Sequence, residues 1–303
     1  MKYGISKEFS IFAYFKPPVY KPIVPVAAAF LSLIPKNSPV SRLSMATKKI
    51  AVEGGEINAY FYEPVGCNTD LPCLIYYHGG GFVFKGAPHH YTLAREYARR
   101  TPCKVLFVDY RMLLKHQFPT SHEDCFTAYK WLLDNASKLG VDSERIAVGG
   151  DSAGGNLAAA MCLMARDRGV KPPCAQMLIY PATDRRMKTE SMAKYTDTPM
   201  WNSKQNKKLW NWLIPEGAEN IEYASVCECA DLSGLPSAYV ETAEVDCLHD
   251  EGLEYAQQLK DAGTCVVVNE THGTMHGYDI VTQGPTTRES MEKRLDFLRE
   301  SFK

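Results

Sequence analysis

The chain has no uninterrupted apolar run long enough to cross a bilayer. Its most apolar stretch, PIVPVAAAFLSLIP at 22–35, is short and broken by prolines, whereas a spanning helix needs about 20 consecutive apolar residues. A charge excess is missing too. The 34 Lys and Arg stand against 35 Asp and Glu, a net charge of −1, which leaves no electrostatic footprint for nucleic acid or a stable membrane anchor. Neither an internal repeat nor a low-complexity tract stands out. The ten cysteines do not form a disulfide framework at this length and spacing. Several sit in apolar segments, such as Cys73 in PCLIYYH, Cys162 in AAAMCLMA and Cys265 in TCVVV, where a free thiol behaves as a small buried hydrophobe. The close pair Cys227 and Cys229 has no second pair with which to build a zinc site. The expectation is reduced thiols in a reducing, cytoplasmic compartment. Lys2, Lys7, Lys16 and Lys21 precede the apolar stretch, but a 21-residue front with Glu8 and many aromatics is a poor signal-peptide n-region. Residues 1–46 are therefore read as mature structure, in helical pieces that cover something.

What is present is ordinary globular material. The 303 residues are 45% hydrophobic and 23% charged, enough apolar surface for a large core. KKIAVE (48–53) and INAYFY (57–62) alternate around Gly54 and Gly55 and read as a β-hairpin. CLIYYH (73–78), KVLFVDY (104–110), RIAVGG (145–150), AQMLIY (175–180), SAYVETAE (237–244) and TCVVVNE (264–270) are short apolar runs of the kind found in parallel strands buried on both faces. Helical patterns occupy 121–138, opening on a capping-box-like Ser121 to Asp124, then 153–166, 250–262 and 286–302. The alternation predicts an α/β fold, one mostly parallel sheet with helices on both faces. Residues 183–234 carry charge and scattered tryptophans but no strand. With 1–46 they are expected to cap the carboxyl end of the strands in the 47–303 domain, the end where open α/β sheets bind ligands.

Two glycine-rich stretches carry chemistry. RIAVGG runs into Gly150-Asp151-Ser152-Ala153-Gly154-Gly155 and an Ala-rich helix follows. This is G-x-S-x-G in a strand–turn–helix context, which lifts the serine clear of the backbone and sets a helix N-terminus behind it. Ser152 is the predicted nucleophile. His78-Gly79-Gly80-Gly81-Phe82 follows the strand CLIYY. It lacks the downstream spacing of a dinucleotide-binding turn and the G-K-[ST] of a P-loop. Its better use is to aim backbone N–H groups at a developing oxyanion, from Gly80 and Gly81 with Gly79 shaping the turn, completed by Ala153 after the nucleophile. Asp151 is expected to brace the turn.

HGGGF, DYR (109–111), FP and EDC (118–119, 123–125), GDSAGGNLA (150–158), the Asp-x-Leu-x-Asp-Glu-Gly of 246–252 and HGY (276–278) occur in this order. Together they resemble the hormone-sensitive-lipase-like group of α/β-hydrolases over about residues 45–300. The resemblance implies an eight-stranded sheet, a helical cap, a Ser–Asp–His triad and acyl-ester hydrolysis. One departure is Met112-Leu113-Leu114-Lys115, where the group usually has Leu-Ala-Pro-Glu after DYR.

Asp246 and Asp250 compete for the acid. Asp246 follows the strand SAYVETAE, while Asp250 reads as a helix N-cap with His249 a solvated loop residue. A strand-end position and the resemblance both point to Asp246. NETHGTMHGYDI (269–280) holds His272 and His276, and its glycines make it read as a loop. Metal binding by the pair would need a helix and a further ligand, so no metal is called for. Both histidines follow the acid in chain order. The resemblance selects His276, which precedes Gly and an aromatic, with Tyr278 packing against the pocket. His89, His90 and His116 have no motif and read as surface or packing residues. The predicted activity is a serine esterase with no cofactor, acting on short- to medium-chain acyl esters as small-molecule substrates. An amidase or acetylated-sugar deacetylase on the same residues, or a non-catalytic receptor, are the alternatives.

Overall fold

The computed structural model describes residues 2–17, 42–67, 69–113 and 115–303. The apolar stretch 22–35 and Leu114 of the departing motif lie outside them.

Eight strands form one sheet in the order β1-β2-β4-β3-β5-β6-β7-β8. β1 (Leu43–Val52) and β2 (Gly55–Pro64) make the predicted hairpin, and β2 also runs antiparallel to β4 (Lys104–Asp109). From β4 onward every pairing is parallel, through β3 (Leu71–Tyr77), β5 (Val141–Asp151), β6 (Ala175–Ile179), β7 (Ser237–Val245) and β8 (Val266–Met275). The continuous apolar runs behave as expected. Every residue of β3, β4 and β6 is buried, because helices cover both faces. β8 is an edge strand and alternates instead. Cys265 just ahead of it is exposed, not buried as its apolar neighbours suggested. Cys73 and Cys162 are buried, and all ten cysteines are free thiols.

Among the described residues the α-helices are α1 (Pro88–Arg100), α2 (Thr120–Asn135), α3 (Ala153–Asp167), α4 (Glu190–Lys194), α5 (Ser203–Leu213), α6 (Ile221–Ala224), α7 (His249–Asp261) and α8 (Pro285–Ser301). α1 and α8 lie on one face and meet where Arg294 Nη1 donates to Tyr97 Oη at 3.3 Å. α2, α3 and α7 cover the other. α1 escapes a search for leucine stripes because its buried side is made of Tyr91, Leu93, Ala94, Tyr97 and Ala98. The capping box read at the start of α2 does not form. Pro119 precedes the helix, Ser121 is buried within it, and Asp124 accepts from the Arg111 guanidinium and backbone N–H.

As expected, 183–234 contains no strand; it supplies α4, α5 and α6. It meets the N-terminal residues directly. Met200 N–H donates to Phe15 O at 2.7 Å, and Gln205 Nε2 donates to Pro17 O at 2.5 Å. Among the described residues no helix is long and apolar enough to cross a membrane.

Candidate active site

Ser152 stands between β5 and α3 at φ 56° and ψ −118°, a sparsely populated conformation for a residue with a side chain. The turn is possible because its flanks lack Cβ atoms. A Cβ on Gly154 would lie 1.9 Å from Tyr77 O, and one on Gly150 would lie 2.3 Å from the same oxygen. The end of β3 and the start of α3 therefore close over each other. Gly154→Ala is expected to destabilise the fold by about 3 kcal/mol or more, since the obstacle is backbone rather than a movable side chain. A thermal melt of the variant checks this, and an unchanged midpoint would count against the tight elbow.

β7 delivers Asp246 and β8 delivers His276 to the same end of the sheet. His276 Nδ1 lies 2.6 Å from Asp246 Oδ2, and Nε2 lies 2.9 Å from Ser152 Oγ. Asp246 is fully buried and its Oδ1 accepts from Leu248 N–H at 3.0 Å. A carboxylate facing Nδ1 fixes the proton there and leaves the Nε2 lone pair to the serine hydroxyl.

Two sequence expectations need correction here. The helix after β7 begins at His249, so Asp250 is inside its first turn and does not cap it. Asp250 instead accepts from Ser191 N–H at 2.7 Å, which ties α4 to α7, and His249 lies 2.7 Å from Asp250 Oδ1 and 3.4 Å from Glu270 Oε2 rather than being solvated in a loop. Nor is 269–275 a loop. β8 continues to Met275 and carries a bulge. Thr271 pairs with Ala243 and Met275 with Val245, so four residues of β8 advance against two of β7, with Gly273 at φ +62°. His272 is left 84% exposed, 3.7 Å from Glu244, while His276 turns inward.

The glycine turn lies beside Ser152. Gly79 N–H donates to Asp151 Oδ1 at 3.1 Å, so it anchors the turn and is not free for an oxyanion. Gly80, at φ +108°, folds back so that its oxygen accepts from Val83 and Phe84 N–H. The amides of Gly80, Gly81 and Ala153 have no acceptor among the described residues. Ala153 N–H is one of the unpaired donors at the start of α3. His78 works as a brace. Burial pushes its imidazole down to about 4, and the neutral ring donates from Nδ1 to Gly79 O and stacks on Tyr110.

Asp151 braces the elbow as expected, but with an unexpected partner. Tyr76 Oη donates to Oδ1 at 2.7 Å, and His90 Nε2 lies 3.1 Å from Oδ2. Ala87 N–H donates to His90 Nδ1 at 2.9 Å, so the ring proton points at Asp151. Burial alone would raise the Asp151 carboxyl; His90 and the other donors reverse this and hold it well below the usual carboxylate range. His90 is thus buried and part of the site's support. The loop that departs at 112–115 reaches the same turn, with Leu113 N–H donating to Phe82 O at 2.8 Å.

A cavity of about 340 Å³ opens over Ser152, His276, Gly80 and Gly81. Phe15, Phe84, Tyr180, Met200, Trp201 and Ile280 give it an apolar wall. Phe15 comes from the N-terminal segment, Met200 and Trp201 from 183–234. Tyr278 takes no part in that wall. It is fully buried and donates to Glu241 Oε1 at 2.6 Å, away from the cavity. Among the described residues no group of three or more His, Cys, Asp and Glu could hold a metal ion.

A family model described as the alpha/beta hydrolase fold matches residues 74–280. The chain belongs to the α/β-hydrolase family. Among relatives of this hydrolase, the carboxylesterase NlhH of Mycobacterium tuberculosis is 37% identical over 228 residues, 74% of this chain and 71% of that one. An arylesterase of Saccharolobus solfataricus is 33% identical, over 76% of this chain and 75% of its own. Among solved structures, a bacterial heroin esterase superposes with a TM-score of 0.89 at 30% identity, covering 99% of this hydrolase and 98% of that chain. The resemblance to the hormone-sensitive-lipase-like group is borne out, as is the eight-stranded sheet it implied.

Proposed function

We propose that this hydrolase is a serine carboxylesterase that works through Ser152, His276 and Asp246. His276 Nε2 takes the Ser152 proton as Oγ attacks an ester carbonyl, and Asp246 holds the imidazolium that results. The tetrahedral oxyanion accepts from the N–H groups of Gly80, Gly81 and Ala153. Collapse, with a proton from His276, expels the alcohol and leaves an acyl-serine, which water attacks with His276 again as base. The carrying observation is the chain of contacts, 2.9 Å from Ser152 Oγ to His276 and 2.6 Å from His276 to Asp246, opening onto the cavity that Gly80 and Gly81 line. Kinship with a carboxylesterase and an arylesterase supports the ester as the scissile group.

Residues 2–17 and 183–234 act in this reading as a cap that contributes Phe15, Met200 and Trp201 to the substrate wall, whereas 43–46, expected to belong to the cap, are part of β1. A cavity of about 340 Å³ with an apolar wall suits short to medium acyl or aryl groups better than a polar sugar. Ten free thiols fit a reducing, cytoplasmic setting.

A fluorophosphonate probe is expected to label the protein once, on Ser152, as read by peptide mass mapping. An unlabelled wild type, or a label elsewhere, sinks the assignment. A series of p-nitrophenyl esters from acetyl to dodecanoyl, run beside acetylated sugars, is expected to favour the short esters.

A further inference from the structure

Directly behind His276 lies a cluster of charge with no part in the steps above. Arg294 of α8, Glu241 of β7 and Asp279 are all fully buried. Arg294 Nε donates to Glu241 Oε2 at 3.1 Å, its Nη2 donates to Glu241 Oε1, and its Nη1 donates to Asp279 Oδ2 at 3.0 Å. Besides Tyr97, which accepts from Arg294 Nη1, four neighbours donate to the two carboxylates. Tyr278 and Tyr239 donate to Glu241 at 2.6 and 2.7 Å, Asn269 Nδ2 donates to Glu241 at 3.1 Å, and Tyr180 donates to Asp279 Oδ1 at 2.5 Å.

Ion clusters of this kind are a poor source of stability, because desolvating the charges offsets most of their attraction. Their placement gives this one a different use. Glu241 is on the strand that ends in Asp246. Tyr278 and Asp279 are the second and third residues after His276. Tyr180 directly follows β6, donates its backbone N–H to Glu241 O at 2.6 Å, and sets its ring edge-on against His276 at 4.9 Å. Three of the elements around the imidazole, β7, the end of β6 and the turn after His276, are therefore tied to one guanidinium, whose planar fork binds both carboxylates in set directions.

We infer that Arg294, Glu241, Asp279 and Tyr278 form a positioning clamp that holds His276 in line between Ser152 and Asp246. None of the four touches substrate; they act through the backbone and ring of the histidine. The inference rests on the proposed role of His276. It matters because small misplacements of a catalytic group cost rate steeply, about 10²-fold for an ångström, while leaving the apolar substrate wall unaltered.

The test uses two near-isosteric variants, Tyr278→Phe and Asp279→Asn, with p-nitrophenyl acetate as substrate. kcat is referred to the folded fraction read by circular dichroism, and KM and melting temperature are measured beside it. The expected result is a fall in kcat of about tenfold in at least one variant, with KM within about twofold of wild type. If both variants keep kcat within about fivefold of wild type per folded molecule, the clamp is overturned, whatever happens to the melting temperature. If KM rises instead while kcat holds, the cluster shapes the substrate wall and the inference is equally wrong. A wild type that neither hydrolyses the ester nor reacts with a fluorophosphonate removes the proposed function, whereas an active wild type with unimpaired variants removes the clamp alone.

Discussion

Ser152→Ala is expected to lower turnover of p-nitrophenyl acetate by about 10⁶-fold, to a residue of activity supplied by binding and the oxyanion donors. Removing the hydroxyl deletes the bond-forming atom itself, and Asp151 beside it is tied up by Tyr76, Gly79 and His90. The change removes one oxygen from a turn whose shape is set by Gly150 and Gly154, so the melting temperature should hold or rise as the polar group leaves a strained site. Steady-state kinetics and a melt on the same sample give both readings. Wild-type turnover in the variant would mean that another nucleophile does the work.

The second large effect separates two histidines four residues apart. His276→Ala is expected to cost about 10⁴-fold or more in kcat, whereas His272→Ala should stay within about twofold of wild type. The reason is visible in the bulge of β8. His272 is 84% exposed with Glu244 as its partner, and His276 is seated between Asp246 and Ser152. The reverse outcome would require β8 to be out of register at its end. Measuring kcat for both variants on one ester decides it.

The parts of this site that were legible in the sequence are those in which a local motif and a structural position coincide. The apolar runs gave the strands because burial on both faces removes alternation. Ser152 and the glycine turn were legible because each lies between a strand and a sharp turn that leaves glycines no substitute. Choosing His276 over His272 took the family resemblance; the residues alone left both open. Three kinds of feature were illegible. α1 packs through tyrosines and alanines, which give no helical stripe. The roles of Asp250 and of Ser121 and Asp124 were misread because cap residues and partners of a remote group look alike in one dimension; Asp250 turned out to hold Ser191 and Asp124 to hold Arg111. The clamp joins Glu241 to Arg294 across 53 positions, Tyr180 reaches its Asp279 across 99, and His90 meets Asp151 across 61. No spacing rule connects such pairs.

The backbone bond from Met200 to Phe15 bears on how the protein can be handled. It puts Phe15, and with it Pro17, at the wall of the cavity. Phe302 is elsewhere: Arg145 donates to its backbone oxygen at 3.2 Å, near the start of β5, and the six residues from there to Asp151 span about 20 Å of strand. A bulky label at Phe302 thus leaves the entrance clear, while one carried on Phe15 or Pro17 stands in the doorway.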